Sequence, residues 1–250
     1  MLGYVDRTPQ NFAKSVKGAL IRRYGDDLSN SCITSEFATH NFTNIFEGKK
    51  LLVVGGGPTT NSVDWDPSIY DHIISCHHFF LHPKLSKINV SLAAISPEVD
   101  IRREEFTSYY DSFNTIFMIN NHDTKDSVIN TLRDRDAKRL AIMEQRVRFK
   151  IGQGPHLLIL ATLFNPLSID FFGIDGYPPD TKVGDSACHA FEKGKIATGT
   201  KHKYEVYLEQ FRQLWGYLFN VGKHITYRNL GYGHNYNISS QFISEYIPHR

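Results

Sequence analysis

The chain has 250 residues, 41% of them hydrophobic and 22% charged, with a formal net charge of +2. That composition is ordinary globular usage at a length that suits one large domain, so bulk disorder is excluded. The balance of 28 basic against 26 acidic residues leaves no broad positive field and disfavours an electrostatic nucleic-acid binder.

In chain order, residues 9–23 read as an amphipathic helix, with Phe12, Val16, Leu20 and Ile21 on one side, and residues 24–47 as a polar, irregular flap or linker. Strands are expected at 50–54, 72–76, 90–96 and 113–119, and a charged helix with a thin apolar side of Val128, Leu132 and Leu140 at 125–141. Gly154-Pro155 opens a further helix that runs to about Phe164 and ends at Asn165-Pro166. A strand at 168–174 leads into a loop rich in Pro, Gly and Asp at 175–200, followed by a helix at 203–220 and a strand at 224–227. Strands alternating with helices predict an α/β fold with a doubly wound, mostly parallel sheet and a lid-like loop before the last long helix. Residues 1–47 are assigned to an N-terminal helix and irregular segment, and 48–250 to the α/β domain itself.

The most informative stretch is Lys50-Leu51-Leu52-Val53-Val54-Gly55-Gly56-Gly57-Pro58-Thr59-Thr60, an apolar strand that ends in a glycine turn. Glycines there let backbone N–H groups approach a ligand, Pro58 can open a helix, and Thr59 or Thr60 can supply a hydroxyl. The third glycine of a dinucleotide fingerprint is missing, and the second strand ends in His77-His78 without a carboxylate, which argues against a nicotinamide cofactor. No Gly-Lys-Ser/Thr follows, so a Walker loop is excluded. Gly152-Gln153-Gly154 makes a second glycine turn before a helix and a second candidate cradle for phosphate or base. Gly173-Ile174-Asp175-Gly176-Tyr177 forms another loop at a strand's carboxyl end, where ligands of such sheets bind.

Other residues carry weaker signals. His78 and His82 share metal-ligand spacing but stand beside Phe79 and Phe80, which favours packing. Asp64-Trp65-Asp66 matches an Asp-x-Asp pair, though an Asx-type capping turn is the plainer reading. The loop at 231–237 is polar and aromatic enough to meet a sugar. Cys32, Cys76 and Cys188 lack paired spacing, as in a reducing compartment. With no signal peptide and no apolar run of ~18 residues, the expectation is a cytoplasmic protein without a transmembrane segment.

Taken in order, the first glycine turn, Cys76-His77 followed by Phe79-Phe80, the turn at 152–156 and Gly173-Ile174-Asp175-x-Tyr177 resemble bacterial lipo-oligosaccharide sialyltransferases. They are also similar to the wider Rossmann-like group that includes hydroxymethylpterin diphosphokinase. The resemblance covers about residues 48–220 and implies a Rossmann-like, nucleotide-sugar-dependent glycosyltransferase that moves a sugar, from a CMP-sugar by preference, to a glycan hydroxyl. It implies that Gly55, Gly56, Gly57, Pro58 and Thr59 hold the nucleotide. His77 stands where the family has an Asn, Gly152-Gln153-Gly154 where it has a Ser-Thr-Gly cradle, and Asp175 and Tyr177 in its first loop with a phosphate-binding tyrosine. His189 takes the place of a second tyrosine, before Ala190-Phe191, and His202 lies near the family's catalytic histidine. Glycosyl transfer needs a nucleotide cradle, a means of meeting phosphate charge and a base, and histidine suits the last. His189 and His202 are therefore the catalytic candidates. No cofactor is required on this reading. An ATP-dependent diphosphokinase is the alternative, with Mg²⁺ held by Asp64, Asp66 and Asp175, and a non-catalytic nucleotide-binding protein is a third possibility. A homo-oligomer and a peripheral position on the inner membrane face are compatible with the resemblance.

Overall fold

The computed structural model describes residues 32–34, 41–120, 126–144, 152–176, 182, 189–191 and 204–231. Its strands are β1 (Cys32–Thr34), β2 (Lys50–Val54), β3 (His72–Cys76), β4 (Leu92–Ile95), β5 (Ile116–Asn120), β6 (Leu140–Glu144), β7 (Ser168–Phe172) and β8 (Thr226–Asn229). They form one sheet in the order β1-β6-β5-β4-β3-β2-β7-β8, and every neighbouring pair is parallel. The helices are α1 (Asn41–Phe46), α2 (Glu104–Ser112), α3 (Asp126–Asp136), α4 (Gln153–Leu163) and α5 (Tyr204–Val221).

The central strands are apolar without alternation because both faces are covered. Leu51, Leu52, Val53 and Val54 of β2 are wholly buried, and their paired residues carry the two faces across the sheet. On one face Phe171 packs on Trp215 of α5 with ring centroids 5.3 Å apart. On the other, Phe172 meets Trp65 at 5.5 Å, and Phe117 meets Phe106 and Tyr110 of α2 at 5.1 and 5.4 Å. Helices on both faces make the sheet doubly wound, as expected. Leu157, Leu158, Ile159, Leu160 and Ala161 of α4 are all buried, because this helix is pressed between β2, β3 and α5. A helix apolar all round is the sequence counterpart of that position.

Several boundaries differ from expectation. The helix expected at 125–141 stops at Asp136, whose carboxylate accepts from the Lys138 N–H and caps the 3-10 turn Ala137–Arg139. Leu140 then opens β6 instead of extending the helix. Helix α2 was not anticipated, since its only buried residues are Phe106, Tyr109 and Tyr110. Within the segment read as a flap, residues 32–34 add β1 beside β6. The helix expected at 9–23 lies outside the described residues.

From β2 the chain winds outward through β3, β4, β5 and β6, then returns to place β7 and β8 on β2's other side. The carboxyl ends of β2 and β7 therefore flank a topological switch point, where sheets of this kind leave a crevice.

Candidate functional site

At that switch point the turn after β2 is clamped to the turn after β7. The Gly55 N–H donates to the Phe172 carbonyl at 2.9 Å, and the Gly57 N–H to the Gly173 carbonyl at 2.8 Å. Asp175, only 1% exposed, accepts from the Thr59 N–H at 2.9 Å and from the Thr59 hydroxyl at 2.7 and 2.9 Å. The same hydroxyl accepts from the Gly173 N–H at 2.7 Å, and the Thr60 hydroxyl donates to the Gly55 carbonyl at 2.8 Å. Such satisfied polar networks in a low-dielectric interior fix a single geometry. The glycines are sterically required: a Cβ on Gly55 would stand 2.2 Å from the Gly173 carbonyl oxygen, and one on Gly173 (φ +70°) 2.3 Å from the Gly55 carbonyl oxygen.

This clamp narrows the expected cradle. The amides of Gly55, Gly57, Thr59 and Thr60 all donate within the protein, and Pro58 has none. Among the described residues the Gly56 N–H is the amide of the turn that donates to no partner. The helix expected to open at Pro58 is a four-residue 3-10 turn, Pro58–Asn61, too short to present a dipole.

Two other elements converge on Gly56. A Cβ there would lie 2.5 Å from Cε1 and 2.7 Å from Nε2 of His189, so the edge of that ring rests on the glycine. The Ala190 N–H donates to the Gly56 carbonyl at 2.8 Å, and Phe191 is buried with its ring 6.1 Å from that of His82. Helix α4 begins alongside: its N-cap Gly152 has no side-chain cap, and a Cβ on Gly154 would stand 3.9 Å from the Gly55 Cα. The uncapped first turn of this helix, with its positive partial charge, thus faces the same crevice. His156 in that turn has its pKa pushed down to about 4 by burial, so its imidazole is neutral at neutral pH.

His77 follows β3 at the neighbouring strand end, in the left-handed region at φ 51°. Its Nδ1 lies 3.0 Å from the Ser96 hydroxyl and 3.5 Å from a Glu98 carboxylate oxygen. The sequence singled out His77 but gave no signal for Ser96 or Glu98, which come from the loop after β4.

The remaining candidates take structural places. His78 and His82 are buried, and His82 Nδ1 accepts from the Lys84 and Leu85 N–H groups, with its pKa lowered by burial. Asp66 caps the turn Pro67–Ile69 by accepting from the N–H and hydroxyl of Ser68, the Asx role expected of it. Among the described residues no group of three or more His, Cys, Asp or Glu side chains could hold a metal ion, and no helix is long and apolar enough to cross a membrane. Tyr177, His202 and the loop beyond Gly231 lie outside the described residues.

No protein-family model and no curated protein matches the chain. Solved structures do match in fold. The monofunctional alpha-2,3-sialyltransferase Cst-I from Campylobacter jejuni superposes with a TM-score of 0.52 at 11% identity, covering 80% of each chain. A single-substitution variant of the Campylobacter jejuni sialyltransferase CST-II, in complex with CMP, superposes with a TM-score of 0.50 at 15% identity, over 73% of this chain and 81% of that one. A second CST-II variant with CMP gives 0.50 at 14% identity over the same shares. At such identities the likeness establishes a sialyltransferase-like fold. It lends nothing to the diphosphokinase relation.

Proposed function

We propose that this chain is a glycosyltransferase that takes a nucleotide sugar, CMP-linked by preference, and passes the sugar to a glycan hydroxyl. The observation that carries the reading is the meeting of three positive or donating groups at one point of the switch crevice: the Gly56 N–H, the uncapped start of α4 and the His189 ring edge. A phosphate leaving group needs such preorganised donors, because its negative charge grows as the bond to the sugar breaks. His189 suits the donor role. Its Nδ1 accepts from the Phe191 N–H at 3.4 Å, which leaves the ring proton on Nε2, the nitrogen that rests on Gly56. Tyr177, two residues beyond the anchored Asp175, belongs beside the same phosphate on this reading. CMP bound to structural neighbours of the same fold supports the choice of nucleotide.

The test is a melting-temperature series with CMP, UDP, GDP and ATP, each with and without Mg²⁺. A ligand at a hundred times its Kd stabilises the native state by about 2.7 kcal/mol, roughly 5–10 °C for a domain of this size. CMP alone should give that shift, without metal. A shift seen only with ATP and Mg²⁺ moves the assignment to phosphoryl transfer. CMP binding without turnover of any CMP-sugar leaves a non-catalytic binding protein.

A further inference from the structure

At the edge of the sheet opposite the crevice, the amino ends of β5 and β6 carry a cluster that packing alone does not explain. Thr115 and Arg139 directly precede these two strands, and the Arg139 Nε–H donates to the Thr115 carbonyl at 3.1 Å. The Arg139 guanidinium lies 3.7 Å from the ring centroid of Tyr110 on α2, a cation–π distance. The Tyr110 ring stacks in turn on Phe117 of β5. Arg135, an exposed residue in the last turn of α3, brings a second guanidinium to 5.3 Å from the same ring. Each strand has five residues, so about 17 Å separates this edge from the carboxyl ends of β5 and β6.

Two polar atoms of the cluster, the Tyr110 hydroxyl and Arg139 Nη2, are buried and have no hydrogen-bond partner. Tyr110 as a whole is 5% exposed. Orphans of this kind are rare in native proteins, and a water or an ion is a usual explanation. Burial raises the Tyr110 pKa, although Arg139 opposes it, so the hydroxyl keeps its proton. Both atoms are then donors, and one acceptor-rich group placed between them satisfies both. Charge decides between water and an anion. Neither arginine is ion-paired with a carboxylate among the described residues. Asp136 accepts from the Lys138 N–H, and Asp136 and Asp111 act on Tyr110 only through space. Two guanidiniums beside one ring repel each other, and an anion relieves that repulsion where a water does not. Phosphate fits this set: guanidinium forks match its oxygens, its charge approaches that of the pair, and an oxygen is left for the hydroxyl.

We propose that Tyr110, Arg135 and Arg139 form a binding site for a phosphate group, free or carried as a monoester, apart from the crevice. The inference does not depend on the glycosyl-transfer reading. Arg139 and Tyr110 supply the buried donors. Arg135, at the exposed rim, turns aside to admit the anion and then closes on it.

The experiment uses the full chain in equilibrium dialysis against radiolabelled inorganic phosphate at constant ionic strength, with melting temperatures taken alongside. Wild type is compared with Tyr110→Phe, Arg139→Lys and Arg135→Gln. Expected are one phosphate bound per chain and an affinity about 10-fold lower or more in Tyr110→Phe and in Arg139→Lys, with a few-fold loss in Arg135→Gln. Tyr110→Phe keeps the ring and its stacking, so it reports on the hydroxyl alone even where Arg139→Lys fails to fold. Without phosphate it should melt no lower than wild type, because the hydroxyl it removes has no protein partner. With phosphate it should lag behind, since only wild type gains the full mass-action stabilisation. Phenyl phosphate that displaces the label identifies a monoester as the ligand, and resistance to it identifies free phosphate. Both support the site. A Tyr110→Phe protein that melts lower without phosphate shows a hydroxyl held by structural water and overturns the proposal. So do uptake that CMP displaces, which puts the anion in the crevice, uptake equal in wild type and Tyr110→Phe, and no uptake at all.

Discussion

Thr59 is the residue on which the clamp turns, because one hydroxyl serves as donor to Asp175 and as acceptor from the Gly173 N–H. Thr59→Val keeps the volume, leaves the Gly173 N–H unpaired and takes a donor from a buried carboxylate. A loss of about 2–4 kcal/mol in urea unfolding is expected, whereas Thr59→Ser should cost under ~1 kcal/mol. His156 gives a pH dependence of definite sign. An unfolded chain protonates this histidine near 6.5, but the folded one holds it neutral down to about 4. The stability it contributes is fully present above 6.5 and is lost as the pH falls toward 4, on the order of 3 kcal/mol at the bottom of that window. Denaturation midpoints between those limits should fall less steeply in His156→Gln. At this scale the sequence was partly legible. Gly55, Gly57 and Asp175 stood out as types, but the bond between Thr59 and Asp175 joins residues 116 positions apart, and no local pattern encodes it. The left-handed turn at His77 was equally hidden, since its cause is the pairing with Ala94.

Among the elements, β7 carries a carboxylate, Asp170, buried within a central strand, and its surroundings explain how it is tolerated. Asp170, 6% exposed, accepts from Arg228 Nε on β8 at 3.0 Å, again from Arg228 Nη2, and from the Tyr70 hydroxyl at 2.7 Å. Burial first, and the bond to Asp170 next, push the Tyr70 pKa up, so the phenol stays a donor. The partners are unequal: the Arg228 side chain is 54% exposed and the Asp170 side chain 9%. Arg228→Met strands a buried carboxylate and should cost about 2–3 kcal/mol. Asp170→Asn returns a half-solvated guanidinium to water and should cost about 1 kcal/mol, a difference that urea midpoints resolve. Elements buried on both sides, β2, β3, β7 and α4, were legible because their apolar runs have one interpretation. Helix α2 and strand β6 were not, since Glu104 and Glu105 mask a three-residue buried face and Leu140 fits a helical period as well as a strand.

For the whole molecule, the winding order matters more than any single element. Because the sheet reverses at β2 and β7, segments far apart in sequence, at 55–60, 152–157, 173–175 and 189–191, meet at one edge of the sheet. Hydrogen exchange with added CMP should therefore gain protection in those segments together and leave β5 and β6 unchanged. The fold class was legible from alternating strands and helices, but the position of the reversal was not, because strand order follows from packing and leaves no mark on a single strand. The contact between Gly55 and Gly173 has a further meaning for the history of this chain. Each glycine fills the room in which the other's side chain would stand, so no replacement at one can be rescued by a replacement at the other. The two positions therefore act as one steric constraint, although strands β3 to β6 lie between them in sequence. A lineage that lost either glycine would first have had to move a strand.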